Sequence, residues 1–137
     1  MTRAIEFHFD FVSPYSYLAI TQLPALARQH GAEIVYKPFR VLELMKLVGN
    51  RPTTIECKNK NRYAFADIGR WAAKYRASVH PNPHLRKLDS ARLLRGALIA
   101  ADDGDAAVYV SAVFSAVWNG ERDLNEHAEL EIGREHV

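Results

Sequence analysis

The residue whose type and position are best suited to chemistry is Ser13. It precedes Pro14 directly after an alternating apolar segment, which places its hydroxyl at a strand-to-helix turn. At such a turn the first amide hydrogens of the helix carry the positive end of the helix dipole and attract anions. A capping hydroxyl there can donate a hydrogen bond to a thiolate or a carboxylate that belongs to a ligand. For an arbitrary Ser-Pro pair a simple helix cap is the more common role, so the context of Ser13 must decide.

The other reactive side chains do not predict a hydrolytic, metal-binding or disulfide site. The glycine-flanked nucleophile elbow of many Ser-His-Asp hydrolases is absent, so hydrolysis by Ser13 is not predicted. His80 and His84 are separated by prolines, which prevent the one-face helical spacing of paired metal ligands, and we expect no metal site. The single cysteine, Cys57, excludes an internal disulfide and a Cys-x-x-C pair, and we assign it no role.

The elements that position Ser13 follow from the hydrophobic pattern. Residues 5–11 alternate between apolar and polar side chains, which predicts a strand with Asp10 on its polar face. A helix is predicted from residues 13 to 31, with a bend at Pro24, and a second strand over residues 33–39. Two strands joined by one helix form a β-α-β unit, so the strands are expected to run parallel with a right-handed crossover.

The rest of the chain is predicted to contain a loop and then helices. Residues 40–58 include a Gly-Asn-Arg-Pro run and are predicted to form a loop. Residues 62–75 repeat apolar side chains at three- and four-residue steps, typical of a helix with one buried stripe, so Trp71 is expected in the core. Asp67 and Arg70, three residues apart, have the spacing of a simple surface ion pair. After a proline turn over residues 80–84, two more helical patterns lie around residues 93–101 and 108–117.

Composition is that of an ordinary globular domain, with 137 residues of which 48% are hydrophobic and 25% charged. No uncharged stretch is apolar enough to cross a bilayer and no export signal is evident, so we expect a cytoplasmic protein that does not enter the membrane. The net charge of +2 is unevenly spread: residues 37–95 hold fourteen Lys and Arg against four acids, and residues 96–137 hold two against nine. The basic segment favours anionic ligands, but no aromatic-interleaved motif indicates nucleic acid.

Several segments, taken in order, resemble one protein family. Residues 9–19 read Phe-Asp-Phe-Val-Ser-Pro-Tyr-Ser-Tyr-Leu-Ala. This segment is similar to the opening of the 2-hydroxychromene-2-carboxylate isomerases and the kappa-class glutathione transferases, thioredoxin-like proteins related to the DsbA oxidoreductases. The resemblance covers most of residues 5–120. It continues through residues 49–52, Lys60, Tyr63, Asp67, residues 70–72 and residues 112–118.

The resemblance implies an α/β fold, a thioredoxin-like β-α-β unit with an all-helical insertion. Residues 1–39 would form the N-terminal part of the thioredoxin-like domain, residues 40–120 the helical insertion, and residues 121–137 a charged C-terminal tail of uncertain structure, with no convincing strand. No proline follows Pro83, so the C-terminal cis-Pro hairpin of such domains is missing. Either the chain is a truncated form or another subunit completes it. Because unpaired strand edges are templates for association, we expect a homo-oligomer, formed through the sheet edge or the hydrophobic helices.

The resemblance also implies that glutathione binds at the N-terminus of the first helix. Ser13-Pro-Tyr-Ser would stand where thioredoxin relatives carry Cys-x-x-C, and in this family the serine that matches Ser13 meets the glutathione sulfur and lowers the pKa of the thiol. Asn50 and Lys60 are assigned to glutathione, and Lys46 and Tyr15 to a small aromatic carboxylate as substrate. Asn50 is equally well explained as a turn residue, and the two lysines nearly as well as solvated surface groups.

The implied activity is the glutathione-dependent cis-trans isomerisation of a 2-hydroxychromene-2-carboxylate-type compound. The thiolate would add to the conjugated substrate, turn a double bond into a rotatable single bond and leave again. A kappa-class glutathione transferase and a truncated binding or assembly module without catalysis are the alternatives.

Overall fold

The structure, a computed structural model, describes residues 3–126. These residues form a β-α-β unit followed by helices. The conformation expected for residues 127–137 lies outside this part. No helix of the described residues combines the length and apolarity needed to cross a membrane. The elements in chain order are β1 (Arg3–Phe9), α1 (Pro14–Gln29), β2 (Ala32–Pro38), α2 (Val41–Leu47), α3 (Thr53–Glu56), α4 (Lys58–Tyr75), a 3-10 turn (Leu85–Lys87), α5 (Ser90–Asp102) and α6 (Ala106–Asn119).

The predicted parallel pairing of the two strands is confirmed. Arg3 lies opposite Ala32 and Phe9 lies opposite Pro38. Along β1 the side chains alternate: Phe7 and Phe9 are buried and Ile5 is half-buried, whereas Ala4, Glu6 and His8 are exposed. One face of the sheet therefore packs against the hydrophobic core. Within residues 3–126 the sheet has these two strands and no cis peptide bond is present.

The core lies where the strands meet α5 and α6. Phe9, Phe11 and Phe114 are almost fully buried, and the Phe11 ring centroid is 5.2 Å from that of Phe9 and 4.9 Å from that of Phe114. Leu93 and Ala97 of α5 join the same cluster. Burying a side chain of this size stabilises the fold by about 1.5–3 kcal/mol. The two last helices thus supply the apolar cover that the strands and α1 need.

The strand β1 ends two residues earlier than predicted, and this changes the environment of Asp10. The expected strand over residues 5–11 put Asp10 on the polar face, but the strand stops at Phe9 and Asp10 is 2% exposed. Its carboxylate accepts hydrogen bonds from the N–H of Val12 at 3.3 Å and of Val41 at 2.9 Å. A buried carboxylate requires such donors. Asp10 therefore caps the first turn of α2 and ties it to the end of β1.

Residues 40–58, expected to be a loop, contain the short helices α2 and α3, so that prediction is wrong. The irregular backbone of this segment lies at Arg40, at Cys57 and in the connection around Gly49, whose φ is 73°. Leu, Glu, Met and Lys favour the helix in α2, and Asp10 supplies an acceptor for its first amide. The prediction gave too much weight to one glycine and one proline. Neither short helix has a buried residue.

The apolar stripe of α4 is less buried than predicted for residues 62–75. The buried side chains of α4 are Ala64 and Ala72. Phe65 is 65% exposed and Trp71 is 39% exposed, so the expectation that Trp71 lies in the core is wrong. A hydrophobic period shows which side chains share a helix face, but it does not show whether another element covers that face.

The predicted turn over residues 80–84 closes the C-terminal end of α6. Asn82 is 5% exposed, and its Nδ2 donates to the carbonyl oxygens of Ala116 at 3.0 Å and Arg122 at 2.8 Å. Its Oδ1 accepts from the N–H of His84 at 2.8 Å. The last carbonyls of a helix have no partner inside the helix. Asn82 supplies donors at this end of α6, and both polar atoms of its side chain are paired.

We expect Asn82→Ala to lower the free energy of unfolding by about 2–3 kcal/mol, because two carbonyls and one amide lose their partner at a buried position. Urea unfolding followed by circular dichroism measures the change. Asn59→Ala, at an exposed position of α4, is the matched control and is expected to change stability by less than about 0.5 kcal/mol. Equal effects of the two substitutions would show that Asn82 does not hold the turn.

Candidate functional site

Ser13 is the N-cap residue of α1, as predicted. Its backbone is extended, with φ −90° and ψ 119°, and its Oγ accepts a hydrogen bond from the N–H of Ser16 at 3.1 Å. The Ser13 carbonyl oxygen accepts the first helical bond from Tyr17 at 3.1 Å. Pro14 has no N–H, and among the described residues neither the N–H of Tyr15 nor the Ser13 hydroxyl hydrogen has an acceptor. Two donors at the positive end of the helix are therefore available to bind an anion.

The turn that precedes Ser13 is held in place by Trp118 of α6. The indole Nε1–H donates to the Phe11 carbonyl oxygen at 2.9 Å, and both residues are buried. The Trp118 ring stacks on Tyr17, with ring centroids 5.9 Å apart and planes 21° from parallel. The sequence predicts no role for Trp118, because the two bonded residues are 107 positions apart and no local pattern links them. The segments around Ser13 and Trp118, both similar to the family, are thus in contact.

Tyr17 anchors the first turn of α1 to two further segments. Its hydroxyl donates to the Ser78 carbonyl oxygen at 2.6 Å and accepts from Nδ2 of Asn119 at 2.9 Å. Because the Tyr17 hydroxyl both donates and accepts a hydrogen bond within the fold, its role is structural. The first turn of α1 is consequently tied to the segment that follows α4 and to the last residue of α6.

Tyr15, predicted to contact substrate, lies on the outer side of the same turn and is 45% exposed. Its hydroxyl donates to Oδ2 of Asp67 on α4 at 3.2 Å. This bond between positions 52 residues apart is not predictable from a local pattern, and Asp67 forms it in place of the surface pair with Arg70 that the three-residue spacing allowed. Burial, the hydrogen bond to Asp67, the charge of that carboxylate and the neighbouring Tyr63 all raise the pKa of Tyr15 above its usual value of 10.0. Tyr15 therefore stays neutral at physiological pH.

Lys60 lies on the face of α4 that contacts α1. Positions 60, 64 and 67 fall on one side of a helix, and Asp67 on that side binds Tyr15. Lys60 is exposed and precedes Asp67 by seven residues, about 10 Å along the helix axis. Lys60 thus shares the side of α4 that carries Asp67, and no hydrogen bond links Lys60 to Tyr15 among the described residues.

Lys46 and Asn50 lie farther along the chain and are both exposed, in α2 and in the connection to α3. Oδ1 of Asn50 accepts from the N–H of Arg51 at 2.8 Å, which is the turn role left open by the sequence. Nδ2 of Asn50 has no partner among the described residues. The start of α2 is tied to the turn of Ser13 because Asp10 binds both: its carbonyl oxygen accepts from the Ser13 N–H at 3.1 Å and its carboxylate caps α2.

The remaining reactive side chains form no cluster in the described part of the chain. Within residues 3–126 no three His, Cys, Asp or Glu side chains lie close enough to hold a metal ion. Nδ1 of His80 is 3.4 Å from Oδ1 of Asn119, and Nδ1 of His84 is 3.9 Å from Oδ2 of Asp123. Cys57 is exposed and free.

Comparison with known proteins assigns this arrangement to a family. A family model described as a DSBA-like thioredoxin domain matches residues 4–132. The chain belongs to the DSBA-like thioredoxin family. The match confirms the predicted resemblance and the predicted thioredoxin-like fold class. In this DSBA-like domain serines occupy both position 13, the N-cap of α1, and position 16 in its first turn. The start of α1 therefore cannot form a disulfide between these two positions.

Relatives of this DSBA-like domain include isomerases and a transferase. A 2-hydroxychromene-2-carboxylate isomerase from Sphingobium xenophagum is 37% identical over 130 residues, which are 92% of this chain and 65% of that protein. A solved structure of a 2-hydroxychromene-2-carboxylate isomerase superimposes with a TM-score of 0.82 at 30% identity, covering 96% of this chain and 64% of that one. A glutathione S-transferase kappa 1 from Caenorhabditis elegans is 47% identical over 49 residues, 35% of this chain and 22% of that protein. The chain spans slightly less than two thirds of the length of these isomerases.

The pKa of Tyr15 tests the contact between α1 and α4. We expect Asp67→Ala to lower this pKa towards 10.0, because the substitution removes the acceptor and the negative charge, while burial, the largest cause, remains in part. Nuclear magnetic resonance of the tyrosine ring carbons measures the titration, and Asp103→Ala, at an exposed position, is the control. An unchanged Tyr15 titration in Asp67→Ala would contradict the hydrogen bond.

The same shift has a consequence for stability at alkaline pH. Because the pKa of Tyr15 is higher in the folded state, its contribution to stability is complete below pH 10.0 and is lost as the pH rises through the folded-state value. The free energy of unfolding of the parent chain is therefore expected to fall more steeply above pH 10.0 than that of Tyr15→Phe.

Proposed function

We propose that this chain binds glutathione at the N-terminus of α1 and acts in the glutathione-dependent cis-trans isomerisation of a small aromatic 2-hydroxychromene-2-carboxylate-type substrate. The observation that carries the proposal is the Ser13 hydroxyl, which caps α1 as an acceptor and keeps its hydrogen uncommitted among the described residues. Relatives named 2-hydroxychromene-2-carboxylate isomerase that align over 92% and 83% of the chain support the choice of reaction.

The residues at the start of α1 fit an anionic sulfur. The Ser13 hydroxyl and the Tyr15 N–H are two donors at the positive end of a 16-residue helix, and both favour the thiolate over the thiol. When bound, glutathione supplies a thiolate that adds reversibly to a conjugated substrate. The chain's own contribution is to lower the pKa of that thiol, to hold the sulfur in one place and to stabilise negative charge without reorganisation.

The surrounding side chains divide between the two ligands in the proposed site. The Tyr15 hydroxyl hydrogen is donated to Asp67, so Tyr15 presents a ring face and an acceptor oxygen to a ligand rather than a donor. The substrate carboxylate is therefore assigned to Lys46, with Tyr15 flanking the aromatic ring. Lys60 is assigned to a carboxylate of glutathione, and Nδ2 of Asn50, which is unpaired in the described part, to an acceptor of the same ligand.

Glutathione transfer is the second candidate function. The local similarity to glutathione S-transferase kappa 1, 47% over 49 residues, favours it. The same thiolate would attack an electrophile that carries a leaving group, so the two reactions share Ser13 and differ in the fate of the carbon–sulfur bond. Turnover of an aryl halide without isomerisation of the chromene compound would identify the transferase. Binding without turnover of either compound would identify a binding module.

Ser13→Ala is expected to weaken glutathione binding about 10- to 100-fold, the usual contribution of a hydrogen bond to a charged group. Isothermal titration calorimetry measures the dissociation constant. Ser16→Ala is the matched control, because Ser16 lies in the same turn and contributes its backbone N–H, which the substitution retains. S-methylglutathione, which cannot form a thiolate, is expected to bind the parent chain and both variants with similar affinity.

A third variant, Ser13→Asp, separates the role of residue 13 as a helix cap from its role in binding an anion. Ser13→Asp keeps an N-cap acceptor, so its free energy of unfolding is expected to stay within about 1 kcal/mol of the parent chain. Its negative charge repels a thiolate, so glutathione binding is expected to be lost. Tight glutathione binding by Ser13→Asp or by Ser13→Ala would refute the proposed role of the hydroxyl, and no binding by the folded parent chain would refute the proposed function.

A further inference from the structure

Asp10 holds the starts of two helices of the proposed site with different atoms. Its backbone carbonyl oxygen accepts from the N–H of Ser13 at 3.1 Å, and Oδ2 of its carboxylate accepts from the N–H of Val41 at 2.9 Å. Ser13 is the N-cap residue of α1, and Val41 is the first residue of α2. Asp10 is buried, and a buried carboxylate depends on its donors. One residue therefore fixes where both helices begin.

The cap of α2 comes from a residue that is distant in the sequence. Arg40, the N-cap residue of α2, forms no side-chain cap hydrogen bond. A serine or an aspartate at position 40 would satisfy the first amides of α2 locally, but it would not link α2 to another element. The carboxylate of Asp10, 31 positions before Val41, satisfies the amide and also sets the position of α2.

The other end of α2 carries Lys46, which the proposed function assigns to the substrate carboxylate. Lys46 follows Val41 by five residues, about 7.5 Å along the helix axis. The N–H of Gly49 donates to the Lys46 carbonyl oxygen at 3.3 Å, so this end of the helix is closed by a hydrogen bond. A helix of seven residues moves as a unit. The position of its first residue therefore determines the position of Lys46 relative to Ser13.

We propose that Asp10 is a positioning residue of the isomerisation, which holds Lys46 at a set position relative to the thiolate site at Ser13. This inference rests on the proposed function. The thiolate must meet a conjugated carbon of a substrate whose carboxylate is held by another element, and a displacement of about 1 Å can lower the rate about 100-fold. Asp10 is buried and acts through α1 and α2.

Val41→Pro tests this role without changing Asp10. Proline has no N–H and is favoured at the first position of a helix, and the extended backbone of Arg40, with φ −92° and ψ 106°, is compatible with a following proline. The substitution therefore removes the hydrogen bond to Asp10 and allows α2 to form. With glutathione at saturation, the KM for 2-hydroxychromene-2-carboxylate is expected to rise at least about 5-fold, with a smaller change in kcat. A lower folded fraction alone would decrease kcat and leave KM unchanged.

Two further substitutions show whether the effect passes from Asp10 to Lys46. Asp10→Ala removes the acceptor instead of the donor and is expected to raise KM to the same extent, with no further rise when Val41→Pro is added. In a Lys46→Ala background Val41→Pro is expected to change KM less than about 2-fold, because the contact that it displaces is already absent. Lys58→Pro, at the first position of α4 after a similarly extended residue, is the control and is expected to keep the KM of the parent chain. An unchanged KM in Val41→Pro, or an equal rise with and without Lys46, would overturn the proposal.

A distance measurement separates this inference from the proposed function. A nitroxide label at position 46, introduced by Lys46→Cys together with Cys57→Ser, relaxes the amide protons of Ser16 and Tyr17 in α1 according to their distance from the label. Val41→Pro is expected to shift these relaxation rates, whether or not the chain turns over substrate. Unchanged rates would overturn the role of Asp10 even if the parent chain is an isomerase. Shifted rates in a parent chain without turnover would refute the proposed function, and the role of Asp10 in it would fall too.

Discussion

The hydrogen bond from the Trp118 indole to the Phe11 carbonyl oxygen is the contact on which the geometry of the site depends. The strand β1 has ended at Phe9 and α1 has not yet begun, so this carbonyl belongs to neither element and has no ladder or helix partner. A buried carbonyl must nevertheless be paired. Because the donor comes from α6, the last helix of the described chain sets where the first helix starts, and with it the position of the Ser13 hydroxyl.

Three buried polar groups act in the same way, each at a junction between elements. Asp10 joins the end of β1 to the start of α2, Asn82 joins the proline turn to the end of α6, and the Trp118 indole joins α6 to the turn before α1. The aromatic core supplies most of the apolar burial, but apolar contacts tolerate small shifts. The polar junctions specify which ends meet, because an unpaired buried group costs about 1–3 kcal/mol.

The helices cover the apolar face of the two strands and leave other surfaces open. The short helices α2 and α3 have no buried residue, and the outer edge of β1 has no partner within residues 3–126. The proposed glutathione site lies at the start of α1, next to the end of β1. A serine in place of a redox cysteine changes the proposed chemistry, since a hydroxyl can hold a ligand's sulfur anion but cannot exchange disulfides with it.

Local backbone geometry explains what the sequence by itself determined. The alternation through Phe9, the Ser13-Pro cap and the helical periods of α1, α5 and α6 were all predictable, because a strand repeats every two residues, a helix every 3.6, and a cap needs only its adjacent amides. Only the tertiary structure decided the burial of Asp10, the pairing of Tyr15 with Asp67 and the exposure of Trp71. Each of these features depends on which element, distant in the sequence, packs against the residue. The spacing of residues in the sequence does not show contacts between positions tens of residues apart.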